Sequence, residues 1–311
     1  MTWNPSQPPR QDGRTFVVTG GNAGLGYFTA EQLTRTGAHV VLATRSPQRA
    51  AVAAASIRGN VAGASLDTIT VDLASLDSVR DAGARLADYG RLDGLILNAG
   101  TTVGSNERQV SVDGFELTMA TNFIGHFALT ALAWPALVRT ESSRVVGLGS
   151  LSTLLVHPHA GDMLSERSYS FFRAYGFSKH SVHGFILELD RRTKQSTAFG
   201  RVPDVTATLA HPGYAIGGLS ALRPGIEDHT PLQRAAALAI AFGAQGRNRG
   251  AAPTVRAALD PTLVGGEFIG PQHLTRGRPV LQRPTGTSAS REFGEHIWAL
   301  AEEWTGLEFE V

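Results

Sequence analysis

Tyr175 and Lys179 stand four residues apart in Tyr175-Gly176-Phe177-Ser178-Lys179. On a helix, that spacing puts a phenol and an ammonium on one face, with Cβ atoms about 5–6 Å apart. Free tyrosine has a pKa of about 10, and a neighbouring cation favours the phenolate. The pair is therefore a candidate for proton exchange near neutral pH, with Lys179 pulling the phenol down. Of the 28 basic residues only Lys179 and Lys194 are lysines, so the spacing owes little to chance. The alternative is a half-buried tyrosine on an amphipathic helix, with lysine on the solvated edge.

Such a pair needs a partner to oxidise or reduce, and a glycine-rich turn offers a place for one. Thr15-Phe16-Val17-Val18 reads as a strand, broken by Thr19-Gly20-Gly21-Asn22-Ala23-Gly24-Leu25-Gly26, after which Phe28 and Leu33 keep a helical period. Strand, glycine turn and helix in that order place a pyrophosphate on backbone N–H groups at a helix N-terminus. Gly20, Asn22, Ala23, Gly24, Leu25 and Gly26 are the candidate contacts. The spacing Gly20-x3-Gly24-x-Gly26 is not the standard dinucleotide fingerprint, and alone it is also the mark of an ordinary glycine turn.

The elements beyond must bring these two stretches together. Short apolar runs at 38–43, 66–71, 92–97, 144–148, 204–210 and 267–270 read as strands. They alternate with helical patterns at 50–57, 75–89, roughly 110–138, from Tyr175 to Arg192, at 232–242 and around Ile297. That alternation argues one α/β domain with a parallel sheet over residues 14–311, preceded by a loose polar arm at 1–13. Several strands end in small polar residues, on the edge where open parallel sheets bind ligands. These are Asn98-Ala99-Gly100, Ser150, Asp72-Leu73 and Pro212-Gly213. Asp72 is either an acceptor for an adenine amino group or the cap of the next helix. Asn122, in the apolar run Met119–Phe127, must find partners or cost about 1–3 kcal/mol. Beyond the second strand stands Arg45, with no acidic residue beside it, which favours a 2′-phosphate and hence NADP(H) over NAD(H).

Composition narrows the class further. The 311 residues are 42% hydrophobic and 18% charged, with a net charge of +1 and no cysteine. Basic residues are scattered, so neither nucleic acid nor an anionic membrane is expected as a partner. No signal peptide or apolar run of about 18 residues is seen, and a cytoplasmic location is expected. Without cysteine there is no thiolate chemistry, and the ten histidines show no metal-ligand register. The alanine- and arginine-rich text looks bacterial.

Taken in order, Thr19-Gly20-x3-Gly24-x-Gly26, Asp72, Asn98-Ala99-Gly100, Asn122, Ser150, Tyr175-x3-Lys179 and Pro212-Gly213 resemble the short-chain dehydrogenase/reductase family. The resemblance runs from about Arg14 to Phe309. Thr121–Phe127 and His211-Pro212-Gly213-Tyr214 look closest to the subgroup of retinol dehydrogenases, WW-domain oxidoreductases and protochlorophyllide reductases. The resemblance implies a single-domain Rossmann fold, a doubly wound parallel sheet of about seven strands in the order 3-2-1-4-5-6-7 with helices on both faces. It also implies hydride transfer between a nicotinamide and a carbonyl or alcohol carbon. Tyr175 would be the acid/base and Lys179 would hold the nicotinamide ribose. Ser150 would bind the substrate oxygen, and Asn122 would hold a water linking Lys179 to solvent.

Leu151, Leu154, Leu155, Phe171, Phe172 and Tyr214 are candidate lining for an apolar substrate, the phenylalanines lying in a long loop before Tyr175. Residues about 213–262 are the natural lid region, with a mobile insertion as the alternative. Gly217 stands where many relatives carry a threonine that contacts the carboxamide; Ser220 is a candidate substitute. Gly149 replaces a second serine often seen before the catalytic one. Relatives are often dimers or tetramers, and the helix at 110–138 is a candidate for packing against a second copy. Reduction of a conjugated C=C bond, or non-catalytic sensing of NADP(H), are the competing functions.

Overall fold

The computed structural model of the protein describes residues 3–5, 7–102, 104–198 and 204–311. Residues 1, 2 and 6 of the expected arm lie outside these. Further along that arm the backbone N–H of Gln11, a buried residue, donates to Thr36 O at 2.9 Å.

The apolar runs form β1 (Thr15–Thr19), β2 (His39–Thr44), β3 (Ser65–Thr70), β4 (Gly94–Leu97), β5 (Ser143–Leu148) and β6 (Val205–Ala210). A two-residue ribbon, β7 (Ala215–Ile216) with β8 (Gln245–Gly246), stands apart from the main sheet, and β9 (Phe268–Pro271) and β10 (Pro279–Gln282) complete it. The main sheet has eight strands in the order β3-β2-β1-β4-β5-β6-β9-β10. All pairs are parallel except β9 with β10. The first seven strands keep the expected order. The eighth, which opens on a proline at the sheet edge, lies beyond the last run that reads as a strand.

Because both faces are covered, alternate residues of one strand feed different cores. Val17 and Val145 belong to one cluster with α3 (Leu76–Ala87), α5 (Gly125–Arg139), α6 (Phe171–Ala198) and α11 (Arg291–Thr305). Phe16, Val18 and Val146 belong to the other, with α1 (Gly24–Arg35), α2 (Pro47–Asn60) and α9 (Ala252–Leu259). The first core centres on rings: Phe127 lies 5.3 Å from Trp298, and Trp298 stacks on Phe309 at 4.9 Å. Each such ring contributes about 1.5–3 kcal/mol by leaving water.

The helical pattern at 110–138 resolves differently from its sequence. Val110 bridges back to Glu116, and the helix begins only at α4 (Leu117–Met119). It passes through a π-helical turn at Ala120–Ile124 into α5. By length and composition Leu117–Arg139 is apolar enough to cross a membrane, yet 72% of its most apolar window is buried inside the fold. Ten of the fifteen residues of α5 are buried by its own chain, while Ala131, Leu132 and Val138 are half-buried and Pro135 and Arg139 are exposed. The remaining short helices are α7 (Pro231–Leu238), α8 (Arg247–Gly250) and α10 (Gly286–Ala289).

Candidate active site

The chain reverses its direction of travel across the sheet between β1 and β4. The C-terminal ends of both open onto the crevice where such folds bind ligands. Lys179, on α6, reaches this edge from behind: its Nζ donates to Leu148 O at the end of β5, 2.8 Å away. A Cβ on Gly100 would stand 3.6 Å from that Nζ and 3.3 Å from Asn122 Oδ1. Lys179 Nζ is 5.8 Å from the centre of the Tyr175 ring, and the Ser150 hydroxyl hydrogen-bonds the Tyr175 phenol. Residues from β4, the π-turn, β5 and α6 thus meet at one point.

The electrostatics of the pair differ from the sequence expectation. Burial raises the Tyr175 pKa, and the hydrogen bond from Ser150 opposes that rise without reversing it. Burial also lowers Lys179, to about 8. The ammonium spends a hydrogen bond on the Leu148 carbonyl and lies over the tyrosine ring, so desolvation of the phenol wins over cationic stabilisation of its phenolate.

Asn122 is fully engaged. Its Oδ1 accepts from Thr101 N at 2.8 Å, while Nδ2 donates to Thr101 O at 3.1 Å and to Ser178 Oγ at 2.9 Å. It ties the strand-end loop after β4 to α6. A second chain runs from its backbone. His126 Nδ1 lies 2.9 Å from Asn122 O, and its Nε2 lies 2.9 Å from Thr19 Oγ1. Burial lowers His126 to about 4, so the ring is neutral. A carbonyl can only accept, hence Nδ1 carries the proton and Thr19 donates to Nε2. Thr19 Oγ1 in turn accepts from the N–H groups of Asn98 and Ala99, both at 2.9 Å. No motif pointed to His126 or Thr19 as a pair; the only signal was a histidine inside an apolar helix.

The glycine turn fits a dinucleotide. Gly20 and Gly24 have φ of +64° and +56°, which disfavours side chains. A Cβ on Gly26 would stand 2.3 Å from Gly20 O and 2.4 Å from Asn98 Nδ2. Ala23, before α1, offers no side-chain cap, and no acidic residue sits in the first turn, so the backbone N–H groups there are open to an anion. Asn98 Oδ1 is buried and has no partner among the described residues. Arg45 is exposed just past β2, and Arg49, which the sequence did not single out, is exposed in the first turn of α2. Asp72 does not cap α3; Ser75 does, and Asp72 Oδ1 accepts from Ala74 N at 3.0 Å in the preceding turn. Leu73 puts its side chain into the core, leaving only its backbone for a ligand. Among the described residues no group of three histidine or carboxylate side chains is placed to hold a metal.

After β6, Gly213 has φ +67°, and a Cβ there would stand 2.2 Å from Thr275 O. His211 holds this corner: Nδ1 accepts from Gly213 N at 3.2 Å, so Nε2 donates to Gln282 Oε1 at 2.7 Å. Pro212 O accepts from Gln245 Nε2 at 2.8 Å. The place of a side chain at Gly217 is filled, since a Cβ would lie 2.2 Å from His229 Nε2. Ser220 cannot substitute. It is buried, its Oγ donates to Ile216 O at 3.1 Å, and it accepts from Arg247 N at 2.9 Å. Gly149 has a similar reason, for His183 Nε2 lies 2.1 Å from its Cβ position. Leu154, Leu155, Phe171, Phe172 and Tyr214 are exposed, and Leu151 is half-buried. Phe171 and Phe172 lie in the first turn of α6 rather than in the loop, because that helix starts four residues before Tyr175.

The sequence pattern of the family described as short chain dehydrogenase matches residues 14–215. Human retinol dehydrogenase 13 is 36% identical over 205 residues, which cover 65% of this chain and 59% of that protein. Mouse polyprenol dehydrogenase is 31% identical over 319 residues, covering 98% of this chain and 87% of that one. The crystal structure of an uncharacterised protein from Mycobacterium paratuberculosis superposes with a TM-score of 0.79 at 31% identity, over 100% of both chains.

Proposed function

The chain belongs to the short-chain dehydrogenase family, and we propose that it is an NADP(H)-dependent oxidoreductase acting on the carbonyl or alcohol carbon of a small, apolar molecule. One observation carries this reading: Tyr175, Ser150, Lys179, Gly100 and Asn122 converge beside a glycine turn that fits a dinucleotide. The bound nicotinamide would supply or accept the hydride.

The chain's own residues have separable tasks. Tyr175, its pKa raised by burial, is a neutral phenol at pH 7 and gives its proton to a carbonyl oxygen, which favours reduction. Ser150 donates to the same oxygen as charge builds there. Lys179, with a pKa of about 8, carries its charge at neutral pH and holds the ribose side of the cofactor. Asn122 fixes the loop behind them by its bonds to Thr101 and Ser178. Arg45, with Arg49 near it in sequence and no acid between, suits a 2′-phosphate. The exposed apolar side chains at 154, 155, 171, 172 and 214 suit an apolar substrate, in keeping with the retinol and polyprenol named for its relatives.

The test is titration of the purified protein with NADPH and NADH, followed by turnover assays on ketones and aldehydes. Tyr175→Phe is expected to bind NADPH as the parent does and to lose turnover. Full turnover in that variant removes Tyr175 from the chemistry.

A further inference from the structure

Arg247 opens α8 immediately after β8 and reaches back to the start of α1. Its Nη1 lies 3.7 Å from the place of a Cβ on Gly24, so its guanidinium borders the uncapped first turn of that helix. A helix N-terminus carries a positive partial charge. A guanidinium beside it adds to that positive field, and the pairing of Arg247 with Glu227 offsets only part of it.

The arginine is held in place. Its Nη1 donates to Glu227 Oε1 at 2.7 Å, and the other oxygen of this buried carboxylate meets His229 Nε2 at 2.9 Å. Next to it, Asn248 Oδ1 accepts from Ala221 N at 3.3 Å, and Asn248 O accepts from Gln32 Nε2, on α1, at 2.7 Å. Arg223 adds a two-pronged pair to Glu31 of α1, at 2.8 and 2.7 Å. The region carrying Arg247 is thus fastened to the helix that carries the glycine turn. Glu227 takes one of the N–H groups of Arg247. Its Nε and Nη2 have no partner among the described residues, and a planar fork with free N–H groups matches a phosphate.

We propose that Arg247, oriented by Glu227, binds the pyrophosphate of the dinucleotide from the lid region, complementing the backbone N–H groups of α1. The inference rests on the dinucleotide reading above. It gives the lid a direct contact with the cofactor, at the pyrophosphate rather than at the carboxamide, where Gly217 offers no side chain.

Calorimetric titration of the full chain with two ligands tests it. One is 2′-phospho-ADP-ribose, which carries the pyrophosphate; the other is 2′-AMP, which does not. Arg247→Ala is expected to weaken the first about 10-fold or more and to leave the second within about 2-fold, as loss of a charge-assisted hydrogen bond predicts. Arg247→Lys, which keeps the charge without the fork, is expected to fall between, and thermal unfolding reports whether each variant folds. Equal weakening for both ligands, or for neither, overturns the role of Arg247 while leaving the dinucleotide site standing. A parent chain that binds neither these ligands nor ADP-ribose without the 2′-phosphate overturns the dinucleotide reading itself, and the proposal with it.

Discussion

The Nε2 atom of His126 stands 2.9 Å from the hydroxyl of Thr19, and this contact joins the helix of Asn122 to the strand of the glycine turn. Thr19 is the last residue of β1, and its oxygen also receives the N–H groups of Asn98 and Ala99. Thr19→Val keeps the shape and removes every one of these bonds. It is expected to cost about 2–3 kcal/mol, and His126→Phe a similar amount. Since both break the same link, the double variant should cost less than the sum by about 1 kcal/mol or more. Urea unfolding of the three variants measures this, and strict additivity would show that the two residues act separately.

Lys179 is a stability liability in return for its position. Its pKa falls from 10.5 to about 8 on burial, so keeping it charged in the fold costs on the order of 3 kcal/mol below pH 8. Between pH 8 and about 10.4 the unfolded chain binds a proton that the folded chain does not, and stability rises with pH in that window. Lys179→Met should be more stable than the parent at pH 7 by about 2 kcal/mol, allowing for the bond lost at Leu148 O. It should also lack the alkaline rise. Denaturant midpoints from pH 7 to pH 10 follow both effects.

His183 is buried with neither ring nitrogen bonded among the described residues, and its pKa is pushed down to about 3. His126 is at about 4. The unfolded chain takes up these protons as pH falls below about 6.5, before the folded chain does, so stability drops through that window towards pH 3. His183→Leu removes one of these sites and a buried polar ring, while His180 and His211, which burial also lowers, remain. It should move the acid unfolding midpoint, read by tryptophan fluorescence, to lower pH. An unchanged midpoint would mean that His183 does not govern acid unfolding.

Placing at position 217 the threonine that the family resemblance leads one to expect should fail on its own. Gly217→Thr drives a side chain into His229 and close to Glu227 Oε2, 3.1 Å from the Cβ site. Such overpacking costs typically about 1–3 kcal/mol. His229→Ala opens the space, so the double variant should regain most of the lost stability in thermal unfolding. Equal losses in the single and double variants would place the obstacle elsewhere.

Most strands and helices were legible because the inner strands are apolar runs that end in small polar residues, whereas the strand order and the helices on both faces came from the family resemblance. Tyr175, Lys179 and Ser150 were legible as chemistry-bearing types at strand ends or in a tight motif. The sequence did not reveal the direction of the Tyr175 shift, since spacing reports a neighbouring cation and says nothing of desolvation. Nor did it reveal the cluster of Glu227, His229 and Arg247, in which residues 20 apart meet without any local pattern. β10 was hidden by its opening proline and short length. Phe171 and Phe172 read as loop although Ser170, a residue type that caps helices, stands directly before α6 and its O accepts from Ala174 N at 2.9 Å.

The π-helical turn at Ala120–Ile124 amounts to a one-residue insertion in an otherwise continuous helix. Each residue of a helix is worth about 100° of rotation, so the segments on either side are out of phase by that amount. α4 takes its phase from Glu116, whose carboxylate oxygens accept from Thr118 N at 3.0 Å and Met119 N at 2.7 Å. α5 takes its phase from Phe127 and Trp134, packed on Phe309. An alignment with a protein whose helix is regular therefore needs a single-residue gap between Met119 and Gly125. A chain one residue shorter here would keep both anchors in an unbroken α-helix. It would lose the outward step in the backbone that presents Asn122 to Thr101 and Ser178.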